Sequence, residues 1–207
     1  MGTIDKGVRV LTAVEAAGPC ALADLVGATG FSRATAHRLA VALEAHGLLR
    51  RTTDGRFALG LRLVGLGRAA ADGLPLADAA GPALAALRET TGESVQLYVR
   101  EGEQRVCVAS LESPHGLRTI VPMGAALPLD RGSAGRALTS SPSGWVDSVE
   151  DRERGVASVS AAVRGPDGAV LAAVSVSGPV ERTTRAPGER YGVAVEAAAH
   201  AIEAALP

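Results

Sequence analysis

Two short apolar periodicities meet at a four-residue break, Gly27-Ala28-Thr29-Gly30, within the first fifty residues of this 207-residue chain. Before the break, Leu22, Leu25 and Val26 form one helical face; after it, Ala36, Leu39, Ala40 and Leu43 recur at i, i+3, i+4 and i+7. Two nearby glycines stop a helix because they give up the most backbone freedom on ordering. Ser32 is placed to restart one, its hydroxyl accepting from the orphan N–H groups of the new first turn. His46-Gly47 closes that second helix. An earlier stripe over residues 5–17 carries Val8 and Leu11 on one side and Val10 and Val14 on another, and it ends at Gly18-Pro19. Beyond the restarted helix, residues 48–51 and 56–59 flank Thr52-Thr53-Asp54-Gly55, and Asp-Gly between alternating runs predicts a hairpin. Three helices with a tight turn before the third, then a hairpin, predict a winged helix-turn-helix over residues 1–60.

The pattern then changes. Residues 61–71 read as a connecting helix, and Asp72-Gly73-Leu74-Pro75 reads as the boundary, so residues 61–75 form a linker. A helix over 76–91 aligns Ala80, Leu84, Leu87 and Thr91. Strand-like runs follow at 95–100, 105–111, 117–123, 156–164 and 169–177, the last two joined by Gly165-Pro166-Asp167-Gly168. A terminal helix carries Val195, Ala198, Ile202 and Leu206 on one face. The chain is thus α+β overall, with a C-terminal domain over 76–207 in which helices cover an antiparallel sheet and leave room for a small ligand.

Charge divides along the same line. Residues 1–71 carry nine basic and five acidic side chains, whereas the remainder carries twelve basic and seventeen acidic, hiding within a net charge of −1. A basic N-terminal part suits a polyanion. The restarted helix offers Ser32, Arg33, Thr35, His37 and Arg38 in its first two turns, with small Ala34 letting the backbone approach. Arginine forks onto guanine O6 and N7, threonine touches a thymine methyl or a phosphate, and a helix start favours phosphate. Arg51 and Arg56 on the hairpin are placed for phosphates or a minor groove. These seven residues form the expected surface for double-stranded operator DNA.

Other classes fit poorly. No stretch reaches the roughly 20 apolar residues of a membrane span, and Met1-Gly2-Thr3-Ile4-Asp5-Lys6 lacks a signal-peptide core, so the cytoplasm is expected. Cys20 and Cys107 lie far apart without ligand spacing and read as reduced, buried thiols, not a metal site. His37, His46, His115 and His200 are scattered, and no nucleophile elbow or P-loop appears, so neither an enzyme nor a cofactor is expected. An interaction module, with the winged helix pairing proteins or binding RNA, is the other reading.

The stretches 30–39 (Gly-Phe-Ser-Arg-Ala-Thr-Ala-His-Arg-Leu), Leu22-Ala23-Asp24-Leu25, Gly47-Leu48-Leu49, Tyr98-Val99-Arg100, 132–138, 155–160 and 173–179 resemble the IclR family of bacterial regulators over nearly the whole chain. The resemblance is closest to actinobacterial members tied to amino-acid metabolism, including leucine biosynthesis. It implies a GAF-like C-terminal sensor domain, a homodimer that in some members pairs into a dimer of dimers, and a small effector: a carboxylate, an amino acid or an oxo acid. Ser133, Ala134, Ser148, Ser158, Ser175 and Ser177 match the family's ligand-contacting positions. Ser175 and Ser177 share one strand face, and Gly132 to Gly135 would open a helix as an anion nest. Met123, Leu127 and Leu129 would wall the pocket with apolar surface. Where the family often has acidic or larger polar groups, Ser148 and Ser158 predict a smaller, uncharged lining, or a vestigial pocket behind ligand-independent DNA binding. The family's long helical insertion after Leu138 is reduced here to residues 139–143, by natural deletion or because a segment is absent from this chain. The lone Trp145 then covers the opening or packs in the core.

Overall fold

The computed structural model of the chain describes residues 2–73, 75–140 and 144–206. It divides into two compact units, Met1–Gly73 and Leu74–Pro207.

The first unit runs α1 (Thr3–Ala17), α2 (Leu22–Thr29), α3 (Arg33–Ala45), β1 (Leu49–Arg51), β2 (Phe57–Leu59) and α4 (Arg62–Asp72). Val10 and Val14 of α1, Leu25 of α2 and Ala40 of α3 bury together with Cys20, Leu49 and Phe57. The small Ala36 and Ala40 let α3 lie close to its neighbours, and both are fully buried. Gly30 ends α2 in the left-handed region at φ 67°, its N–H returning to the Val26 carbonyl. Ser32 caps α3 by accepting from the Thr35 N–H at 3.3 Å. The hairpin is anchored from below: Cys20 and Phe57 exchange backbone bonds of 2.9 and 2.8 Å, tying the α1–α2 loop to β2. Gly60 has no alternative, since a Cβ there would sit 2.0 Å from the Gly47 carbonyl oxygen.

The second unit opens with α5 (Pro75–Thr91), followed by β3 (Ser94–Glu101), β4 (Gln104–Leu111), β5 (Ala126–Pro128), α6 (Gly132–Thr139), β6 (Trp145–Val149), β7 (Val156–Arg164), β8 (Val170–Pro179), α7 (Val180–Thr183) and α8 (Pro187–Ala205). Six strands make one sheet in the order β5-β4-β3-β8-β7-β6, every neighbouring pair antiparallel. Side chains alternate between faces. Val95, Leu97, Val159, Ala161, Val174 and Val176 point to one face and bury against Leu84 and Leu87 of α5 and Val195, Ala199 and Ile202 of α8. The other face is covered by α6, whose Ala134, Ala137 and Leu138 pack against Tyr98, Cys107, Val121 and Leu129.

The α+β class and the helices expected at 61–71, 76–91 and the C-terminus are observed, as are four of the five strands. The strand expected at 117–123 is not. Thr119 and Val121 are buried with exposed Ile120 between them, but Leu117 and Met123, of the same parity as the buried pair, are exposed, and among the described residues no strand pairs with the segment. The Thr119 carbonyl instead accepts from the Ser94 hydroxyl at 2.6 Å, and Pro122 has no N–H to give. β5, β6 and α7 were not expected. Of the segment expected as a short linker, Thr139 ends α6 and Ser140 caps it, while residues 141–143 lie outside the described residues.

Candidate nucleic-acid interface and ligand cavity

The exposed side of α3 carries Arg33, His37 and Arg38, opposite the buried Ala36 and Ala40. Among the described residues no carboxylate comes within ion-pair distance of Arg33 or Arg38. The two hydroxyls at the helix start are engaged with each other, Ser32 Oγ donating to Thr35 Oγ1 at 2.9 Å, and Thr35 is only half exposed. On the wing, Arg51 pairs with Glu44 at 3.4 Å, donates to the Gly55 carbonyl at 3.1 Å and lies 4.1 Å over the Phe57 ring. Arg56 pairs with Asp54 at 3.0 Å. The Asp54 carboxyl is held below its ordinary range, chiefly by the Thr52 hydroxyl and also by Arg56. Arg50, passed over in the sequence, is exposed beside them and among the described residues has no ion pair. Strand alternation gave the signal, because Leu49 points inward and its neighbour must point out.

The second unit places its serines by register. Ser94, Ser177, Ser158 and Ser148 are successive cross-strand partners from β3 to β6, and Gln96, Ser175 and Ser160 make the next row on the same face. The start of α6 leans on these rows. Ser133 Oγ lies 2.7 Å from both Ser158 Oγ and Ser160 Oγ, Ser148 Oγ is 3.0 Å from Ser158 Oγ, and Ser160 donates to Ser175 at 2.9 Å. Ser177 donates to Gln96 Oε1 at 3.0 Å. Ser148, Ser158, Ser133, Ser160 and Ser175 thus form one connected hydroxyl network, with the Ser177–Gln96 pair beside it, at a small cavity of about 20 Å³ lined by Ser133, Ala134, Ser148, Ser158, Ser175 and Ser177. Such a volume holds roughly one water-sized group.

Charged groups complete the wall, contrary to the expected uncharged lining: Arg105, Arg152 and Glu153 also face the cavity. Arg105 is 3% exposed and stacks 5.4 Å from the Tyr98 ring. Its Nη1 donates to the carbonyls of Arg131, at 2.7 Å, and Pro128. Burial lowers the Arg105 pKa and raises those of the Tyr98 phenol and the Cys107 thiol, the last to about 11. Sequence reasoning missed Arg105, although its position offered a sign: it shares a strand face with buried Cys107, so its charge points inward.

Two further expectations are corrected, and of the two roles open to Trp145 one is found. The α6 start is not an open nest, because the Gly132 N–H already donates to Asp151 Oδ2 at 2.7 Å and the Ser133 N–H to Ser148 Oγ at 3.1 Å. Met123 is 67% exposed and does not line the cavity. Neither do Leu127 and Leu129, which pack in the apolar layer with Tyr98 and Ala137. Trp145 pairs with Ala161 on the sheet's other face, and its ring rests on Gly188 and Gly192 of α8, where a Cβ would collide with it. It is therefore a packing group and not a cover. Among the described residues no His, Cys, Asp and Glu cluster gathers to hold a metal ion, and no helix is long and apolar enough to cross a membrane.

Residues 3–53 match the IclR helix-turn-helix domain, and residues 68–142 and 139–204 match the bacterial transcriptional regulator IclR C-terminal domain. The chain belongs to the IclR family. As a family member it is a transcriptional regulator with a DNA-binding helix-turn-helix and a C-terminal effector domain. Among its curated relatives are the HTH-type transcriptional regulator KipR of Bacillus subtilis, 30% identical over 138 residues, and the repressor AllR of Escherichia coli, 25% identical over 242. Those alignments span 67% of this chain and 55% of KipR, and 98% of this chain and 89% of AllR. Among solved IclR-family structures, a regulator from Alicyclobacillus acidocaldarius superposes with a TM-score of 0.81 at 19% identity, covering 98% of each chain. An IclR homolog from Microbacterium hydrocarbonoxydans, complexed with 4-hydroxybenzoate, gives 0.80 at 20%, covering 99% of each. These relatives are regulators, not enzymes.

Proposed function

We propose that this IclR-family chain binds a pseudo-palindromic operator as a dimer, and that a small metabolite seated at the serine cavity modulates the binding. The carrying observation is the exposed, unpaired basic face of a capped α3, with Arg33, His37 and Arg38 free to enter a major groove. Thr35 and the start of α3 meet the backbone, and Arg51 and Arg56 release their carboxylate partners to reach phosphates. A dimer, or a dimer of dimers, spaces two such helices across the site. The relatives' names support the regulatory role: AllR is a repressor, and the Microbacterium homolog holds 4-hydroxybenzoate, a small carboxylate. For this chain the effector class is a small carboxylate, amino acid or oxo acid, and the regulated genes belong to amino-acid metabolism. The sensor domain is shortened after α6. Its support is the break in the C-terminal family match, which stops at 142 and resumes from 139. The site of action is the cytoplasm.

A second reading has one observation in its favour. The serines satisfy one another around a cavity of only about 20 Å³, as a vestigial pocket would. A gel shift on the chain's own upstream DNA, titrated with branched-chain amino acids and their precursors, separates the two. The effector reading expects a shifted midpoint with at least one compound, and no response at saturation leaves the ligand-independent regulator. Equal affinity for scrambled duplex would sink sequence-specific regulation altogether.

A further inference from the structure

The least economical group in the second unit is Arg105. It is a cation 3% exposed, and among the described residues no carboxylate comes within ion-pair distance of it. Its Nε has no hydrogen-bond partner. Two carbonyls satisfy part of the guanidinium but bring no charge. A buried cation without an ion-pair partner is costly, and an orphaned donor adds to that cost. The surroundings are nonetheless built around it: a Cβ on Gly132 would lie 3.3 Å from Nη2, and one on Gly135 would lie 3.0 Å from Nη1. Gly132 therefore leaves room for the guanidinium, while Gly135 is required first by the Leu129 carbonyl, 2.1 Å from such a Cβ, with the guanidinium just behind it. The charges of Asp130 and Asp151 reach it, but neither forms an ion pair with it, and Asp151 is committed to the Gly132 N–H and, at 3.2 Å, to Arg136. Arg152, the other cation at the cavity, is already paired with Glu153 at 3.5 Å.

We infer that Arg105 is the anion receptor of the cavity and the residue that selects a carboxylate over its neutral isosteres. Resting on the effector reading above, the inference narrows it to a ligand whose single carboxylate meets Arg105, while Ser133, Ser158 and Ser175 hydrogen-bond the atoms beside it. The hydroxyls do not discriminate charge, since each donates or accepts as required. Arg105 does, as a fixed cation shielded from water. The cavity's small volume admits the oxygen end of the ligand, and the exposed side of the Arg152–Glu153 pair is where the rest enters.

The test is calorimetric titration of the full chain with acetate and with acetamide, which have the same shape and differ in charge, followed by the same pair on R105Q and R152Q. The expected result is at least a tenfold preference for acetate in the unmodified protein and in R152Q, and no preference in R105Q. R105K, which keeps the charge but lacks the Nε donor, retains part of the preference and reports on the site if R105Q does not fold. Acetamide binding as tightly as acetate to the unmodified protein, or an undiminished preference in R105Q, overturns the role of Arg105 and leaves the effector reading standing. Binding of neither compound, together with no gel-shift response to any metabolite, overturns both.

Discussion

The two arginine classes of the first unit differ in their partners, and that difference sets their roles. Arg38 projects unpaired from α3, whereas Arg56 already holds Asp54 at 3.0 Å on the wing. Arg38→Ala is expected to reduce discrimination between operator and scrambled duplex by about 1–3 kcal/mol, while Arg56→Ala weakens both by similar factors. Titrations of both variants on both duplexes check this, and identical loss profiles would contradict it. Cys107 supports a prediction of another kind. Burial raises its thiol to about 11 from 9.0, so the unfolded thiol ionises first as the pH climbs. Its contribution is fully present below about pH 9 and is lost as the pH rises through 11, an alkaline loss of roughly 2–3 kcal/mol by the linkage relation. Urea denaturation at pH 8.5 and 11 should show a decrement that Cys107→Ala lacks. Ser175 and Ser177 were legible in the sequence because family position and strand alternation agreed on them, whereas Ser133, Ser148 and Ser158 rested on family position alone. For Arg105 only the inward direction was readable, from its parity with Cys107; what marks it out is the want of an ion-pair partner in three dimensions, and no spacing along the chain encodes that.

Among the elements, α3 was readable almost to the residue because a cap, an apolar period and a glycine stop reinforce one another. Ser32→Ala removes the cap and should cost about 1 kcal/mol of stability, visible as a lower urea midpoint with an unchanged slope. The affinity for DNA should fall with it, because the first turn of α3 presents Arg33 and Arg38. The elements that escaped notice share a physical reason. β5 spans three residues, too short for a period to show, and β6 mixes Trp145, Asp147 and Ser148 on an edge whose partner is ten residues away. Residues 117–123 erred the other way. Their alternation holds only over 119–122, and strand identity also requires a neighbouring backbone, which sequence pattern alone does not supply.

Taken whole, the chain carries its division in its charge. The overall −1 conceals a basic first unit whose Arg33, Arg38, Arg50, Arg51 and Arg56 lie on α3 and the wing. If each such cation in a dimer displaces a counterion, the logarithm of operator affinity should fall with the logarithm of salt at a slope of roughly −9. Part of the Arg51 and Arg56 share offsets the ion pairs they surrender. Fluorescence anisotropy between 50 and 300 mM salt measures the slope, and a value shallower than about −4 would mean the wing stays off the phosphates. The two-unit organisation was legible from composition and turn chemistry, since a charge boundary and an Asp-Gly-Leu-Pro break fall together near residue 73. The packing of Trp145 onto Gly188 and Gly192 adds a consequence for anyone watching the protein in solution. The chain has one tryptophan, and it sits in the second unit, so light emitted on excitation at the red edge of the aromatic band comes from that unit alone. Trp145 is already 36% exposed, so opening of the seam between β6 and α8 would wet the remaining face of the indole and redden its glow further.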